Sequence, residues 1–205
     1  MFIGKYNGSV ILTYIGVLFG ITGMYFAVGG KLDQAMICLI VAGLCDLFDG
    51  TLAKRFKRDD QEKEFGKEID SLADSVSFLA LPLLIGLAIS GGSALAVVAY
   101  AVYVLAGIIR LAYFNLTGVE ETTKGKTYHG LPVTYAALIF PLLYLPLSFL
   151  PKEFMTILWP ISCLMVAGAF IIDLRIPKPD EAMNLKLVAL AAVILILYAL
   201  AVIYR

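Results

Sequence analysis

Cys38-Leu39-Ile40-Val41-Ala42-Gly43-Leu44-Cys45-Asp46-Leu47-Phe48-Asp49-Gly50-Thr51-Leu52-Ala53-Lys54-Arg55 is the stretch whose reading decides the fold. It is the later part of an apolar block covering about 34–54. A helix of about 20 residues crosses the hydrocarbon core of a bilayer, so this block is long enough to span. Yet its last turns carry two carboxylates. A carboxylate at the bilayer centre costs about 2.5–3.5 kcal/mol on insertion scales, and such residues mark functional sites.

Six more blocks surround this one, giving candidate spans at about 10–29, 34–54, 69–91, 94–116, 131–149, 154–173 and 185–204. The chain has 205 residues, 60% of them hydrophobic and only 16% charged, where a soluble domain carries about 25% charge. The pattern predicts an all-α, polytopic membrane helix bundle. The formal net charge is zero, so no bulk field points to nucleic acid. Cys38, Cys45 and Cys163 sit in apolar runs without CxxC spacing and read as small buried side chains, neither a disulfide framework nor a zinc site. The N-terminus lacks a basic region followed by a small-residue cleavage site, so no removable signal peptide is expected.

Lysine and arginine set the orientation. Short links at Gly29-Gly30-Lys31, Ser90-Gly91-Gly92-Ser93 and Leu150-Pro151-Lys152 are poor in them. The N-terminus and the polar links from Arg55 to Glu68, Gly118 to Gly130 and Asp173 to Asn184 are rich in them. The positive-inside rule puts that second set in the cytoplasm, in a cell membrane, and an odd number of spans puts the C-terminus outside.

A second acidic pair follows the first. The third span opens Gly66-Lys67-Glu68-Ile69-Asp70-Ser71-Leu72-Ala73-Asp74. Asp46 and Asp49 are three apart and Asp70 and Asp74 four apart, so each pair shares one helix face. Gly50 and Ala53 continue the first face and Gly66 the second, letting helices or a ligand approach closely. Two such pairs packed together repel unless cations lie between them. Hard oxygen donors without Cys or His suit magnesium, manganese or calcium rather than zinc. Metals held this way at a membrane surface can bind a pyrophosphate and neutralise charge as a phosphoryl bond breaks. A spare carboxylate can serve as general base for an attacking hydroxyl. Lys54 and Arg55 can add phosphate contacts.

The run D-x-x-D-G-x-x-A followed by G-x-x-x-D-x-x-x-D closely resembles the signature of the CDP-alcohol phosphotransferase (phosphatidyltransferase) family, from the first span to about residue 178. The resemblance implies a six-helix catalytic core, here with a seventh, C-terminal span at about 185–204, in one domain covering 1–205. It implies a homodimer with a cavity open to the cytoplasm and to lipid. It further implies that Asp46, Asp49 and Asp70 bind a pair of Mg2+ or Mn2+ ions, with Ca2+ as another ligand. Asp74 would join them and act as base. Asp46, Gly50, Ala53, Lys54, Arg55 and Gly66 would contact the cytidine nucleotide. The acceptor alcohol would attack the lipid-side phosphate of CDP-diacylglycerol, and CMP would leave.

Asp70-Ser71-Leu72-Ala73-Asp74-Ser75-Val76-Ser77-Phe78 and Arg110-Leu111-Ala112-Tyr113-Phe114-Asn115 look like the phosphatidylserine synthase branch, which implies L-serine as acceptor. Glycerol 3-phosphate or an inositol phosphate is the alternative. Two features depart from the pattern. Lys54 stands where the family has arginine, and a charged insert, Lys57 to Phe65, lengthens the following loop. Tyr113 replaces the branch's second arginine; if a serine carboxylate needs that arginine, the chain must use another cation or another alcohol. Ser71, Ser75 and Arg110 are the candidate acceptor or phosphate contacts, Arg110 needing a phosphate or an aspartate as its partner. Thr13 is expected to bond to its own helix, His129 to lie on a loop surface, and Trp159 to join an interfacial belt. A different class, a metal-ion transporter, would need acidic residues past mid-membrane, and the outer halves of the spans have none.

Overall fold

In a bilayer core no water serves the backbone, so an apolar segment satisfies its N–H and C=O groups by forming a helix. The computed structural model, which describes residues 3–122 and 125–204, has a helix in each expected apolar block. They are α1 (Ile11–Val28), α2 (Leu32–Ala53), α3 (Asp60–Asp74), α4 (Leu81–Ser90), α5 (Ala94–Thr117), α6 (Ala136–Leu147), α7 (Lys152–Ile171) and α8 (Glu181–Tyr204). Among the described residues six segments are long and apolar enough to cross a membrane: Gly8–Val28, Leu32–Ala53, Asp60–Ser90, Ala94–Thr117, Lys152–Ile171 and Glu181–Tyr204. Large apolar side chains such as Leu95, Leu116 and Ile203 face outward, as lipid-facing positions do. The expected span at 131–149 is instead a shorter helix, Val133–Leu147. Pro132 and Pro151 hold extended backbone at its two ends, and proline cannot continue a helix toward its N-terminus.

α3 and α4 form one continuous span through a π-helical turn at Ser75–Ala80. The amide of Leu81 reaches back to the carbonyl of Val76, and the buried hydroxyl of Tyr103 donates to the Phe78 carbonyl at 2.6 Å. The charged insert is not a loop throughout: from Asp60 onward it is the first turns of α3. Asp59 accepts from the Glu62 amide at 2.7 Å, and Glu62 accepts from the Asp59 amide at 2.9 Å. This capping box satisfies the free amides of the first turn. Asn7 ties the same region to the N-terminus by donating to the Lys57 carbonyl.

The two later polar links also gain structure. β1 (Glu120–Thr122), β2 (Gly125–His129) and β3 (Arg175–Pro177) make an antiparallel sheet in the order β1-β2-β3. Pro177 is tolerated because β3 is an edge strand. Gly130 follows β2 at φ +73, its N–H donating to the Leu174 carbonyl at 2.8 Å. A Cβ there would lie 2.6 Å from the Phe170 carbonyl oxygen, so only glycine fits.

Trp159 lies in the core, not in a belt. It is fully buried between Phe140 and Tyr144, with ring centroids 5.3 and 6.0 Å away. Aromatic pairs at these separations stabilise a core beyond their area alone. α8 packs on α2 and α6; its buried Tyr198 donates to the Pro141 carbonyl at 2.8 Å.

Candidate active site

Asp46 and Asp49 lie near the end of α2 and Asp70 and Asp74 at the end of α3, and there the two aspartate pairs meet. Carboxylate oxygens of Asp46, Asp49 and Asp70 all lie within 4.8 Å of one another. The carboxyl of Asp46 is within hydrogen-bonding reach of Asp74, and that of Asp49 within reach of Asp70. Asp74 is the most enclosed of the four, at 8% exposure. Oxygens around one magnesium at about 2.1 Å stand about 3–4 Å apart, so this spacing and an all-oxygen donor set fit a hard divalent cation. Thr13 does not bond to its own helix: its hydroxyl donates to Asp49 at 3.1 Å. α1 packs closely on α2, which brings the hydroxyl to the carboxylate.

The four aspartates line a cavity of about 490 Å³, within the range of small-molecule sites. Gly50 and Lys54 line it too, whereas Ala53 and Gly66 do not. Arg55 is exposed outside it, its backbone N–H donating to the Leu52 carbonyl at the end of α2. A Cβ on Gly50 would meet no heavy atom within 4 Å. No packing therefore demands glycine here, and glycine within a helix costs about 1 kcal/mol relative to alanine. The open space is room for a ligand.

The serines turn elsewhere. Ser71 donates to the Asn115 side-chain carbonyl at 3.1 Å, and Ser75 to the Ser71 carbonyl at 2.9 Å; neither lines the cavity. Arg110 does line it, 5% exposed. Its protein partner is not an aspartate. One terminal nitrogen donates to the Gly130 carbonyl at 3.3 Å, and the guanidinium lies 5.5 Å from the Phe114 ring centroid. Among the described residues its buried Nε has no hydrogen-bond partner.

Three parts of the site were missed in the sequence. Tyr128 of β2 lines the cavity, as do Lys178 and Pro179 after β3, and Asn184, Leu187 and Ala191 of α8. Only the proline-flanked Arg175-Ile176-Pro177 hinted at an edge strand.

His129 lies on β2 and clasps the polar end together. Its Nδ1 is 2.7 Å from Asp173 and its Nε2 2.9 Å from Glu120. Tyr113 stands edge-on at 6.5 Å, and Arg175 is its register partner on β3. The hydrogen bond to Asp173, aided by Glu120, raises the imidazole above its ordinary pKa of 6.5. A raised folded-state value means that the clasp's contribution is complete below pH 6.5 and fades as pH climbs through the raised value. Melting temperatures of the wild type and His129→Gln should therefore differ most near pH 6 and converge in alkali. A gap of constant size across that range would refute the clasp.

A family model described as CDP-alcohol phosphatidyltransferase matches residues 7–171. Archaetidylserine synthase of Methanothermobacter thermautotrophicus is 31% identical over 159 residues, covering 77% of this chain and 66% of that protein. CDP-diacylglycerol--serine O-phosphatidyltransferase of Saccharomyces cerevisiae is 35% identical over 147 residues, covering 64% and 52%. The protein of the same name from Helicobacter pylori is 27% identical over 195 residues, covering 90% and 78%. The chain thus spans about half to two thirds of the length of the first two relatives.

Proposed function

Because the chain belongs to the CDP-alcohol phosphatidyltransferase family, we propose that it transfers a phosphatidyl group from CDP-diacylglycerol to the hydroxyl of L-serine. The observation that carries this reading is the meeting of both aspartate pairs in one cavity, with Arg110 in its wall. An acid-lined wall suits metal-bound phosphates, and a basic one suits an acceptor that carries its own anion.

In this reading Asp46, Asp49 and Asp70 hold divalent metal, with Asp74 beside them. Held there, divalent metal would neutralise the pyrophosphate and the charge that gathers on the leaving phosphate. Gly50 leaves room for the nucleotide, and Lys54, rather than Arg55, reaches it from the cavity wall. Asp74 takes the proton from the serine hydroxyl. The serine oxygen bonds to the lipid-side phosphorus, the phosphorus–oxygen bond to CMP breaks, and CMP leaves with the bridging oxygen. Residues 1–205 act as one catalytic domain, as a homodimer in the cell membrane. Its polar end and N-terminus face the cytoplasm, in keeping with the crowding of lysine and arginine there.

The names of the relatives agree on serine and differ in the lipid. Serine is therefore the firmer half of the reading, and an archaetidyl donor is the second reading. Purified full-length protein, given CDP-diacylglycerol and each labelled acceptor in turn, should release CMP with L-serine and not with glycerol 3-phosphate or an inositol phosphate. No release with serine would sink the serine reading, and a faster reaction from CDP-archaeol would favour the second donor.

A further inference from the structure

We propose that Lys178, just beyond β3, is the second cation of the acceptor subsite and holds the serine carboxylate together with Arg110. This rests on the serine reading above. An amino-acid acceptor brings a carboxylate into a cavity whose α2–α3 wall already carries four, so its own anion must turn to the opposite side. Arg110 lines the same cavity without a carboxylate partner, and among the described residues no group satisfies its buried Nε. A buried cation without a counterion is expensive, and a bound anion would relieve it.

One guanidinium is not the whole of that wall. Tyr113, at the position where the resembling motif has arginine, does not line the cavity; it is 47% exposed and lies edge-on to His129. Lys178 does line it. Its amide donates to the Lys126 carbonyl at 2.8 Å, fixing the backbone at the end of the sheet. Its Nζ stands 6.0 Å from the centre of the Tyr128 ring, and that ring lines the same cavity as Arg110. Among the described residues no carboxylate lies within ion-pair distance of Lys178. The Tyr128 ring holds the ammonium at the cavity lip by a weak cation–π attraction that leaves its charge available. The family model matches residues 7–171 and stops short of this cation.

The test uses the full chain with CDP-diacylglycerol and compares wild type, Lys178→Gln and Lys178→Arg. Lys178 is exposed at the cavity lip, so both variants are expected to fold. Lys178→Gln should raise the KM for L-serine about five- to tenfold, leaving kcat and the KM for CDP-diacylglycerol within about twofold; Lys178→Arg should restore it. Serinol, which lacks the carboxylate, should be a poorer acceptor than serine for the wild type and should lose no further ground in Lys178→Gln. An unchanged KM for serine overturns the proposal. A rise in the KM for CDP-diacylglycerol instead overturns it too, by assigning the lysine to the donor's phosphates. A wild type that releases no CMP with serine sinks the function proposed above and takes this inference with it, an outcome distinct from the other two.

Discussion

Asp74→Asn should lower turnover by about 10²–10⁴-fold, the range set by loss of a positioned general base, while CDP-diacylglycerol still protects the variant against heat. Asparagine keeps the shape of the side chain and can still hydrogen-bond to Asp46, so the packing around it survives. What it loses is the ability to take a proton. Asp46, Asp49 and Asp70 form the three-carboxylate cluster, which leaves Asp74 as the spare carboxylate next to them. The measurement is CMP release alongside a melting curve with and without CDP-lipid. A variant that keeps a rate within tenfold of wild type would show that another group takes the serine proton.

The second large effect is withdrawal of divalent cations. EDTA should bring CMP release to background, with Mg2+ or Mn2+ restoring it and Zn2+ failing to. The oxygen-only donors at this spacing select hard cations. Without a cation, four neighbouring carboxylates would repel a pyrophosphate. The helices themselves are held by aromatic packing well away from the cluster, as at Trp159 with Phe140 and Tyr144. Helical circular dichroism should therefore persist in EDTA, while heat protection by CDP-diacylglycerol is lost. Undiminished CMP release after exhaustive chelation would refute metal dependence.

How much of this was legible in the sequence depends on how local each feature is. The aspartate pairs were readable because three- and four-residue spacings on one helix fix a shared face, whatever the helix packs against. The apolar blocks were readable because membrane thickness fixes their length. Thr13 was misread because its partner, Asp49, is 36 residues away and only the packing of α1 on α2 decides that it bonds there. His129 looked like loop surface because its two acids come from β1 and from the link after α7. Lys178 and Asn184 gave no sign of lining a cavity: Asn184 belongs to it because α8 folds back onto α2, and Lys178 because its amide is tied to Lys126 at the end of the sheet. The insert after Lys54 was read by its charge as a loop, although Asp59 and Glu62 carry the spacing of a capping box.

The π-helical turn at Ser75–Ala80 has a geometric consequence for the third span. Bonds that skip one extra residue act like an inserted residue, and one residue is about 100° of rotation about the axis of an α-helix. The half carrying Asp70 and Asp74 and the half carrying Leu81, Ile85 and Ile89, all buried in the core, are thereby set to different phases. A helix in perfect register would have to aim both halves by one rule, so that turning the acids toward α2 would swing the leucine and isoleucines off their neighbours. The offset lets one rod turn its acids toward α2 and its leucine and isoleucines into the core.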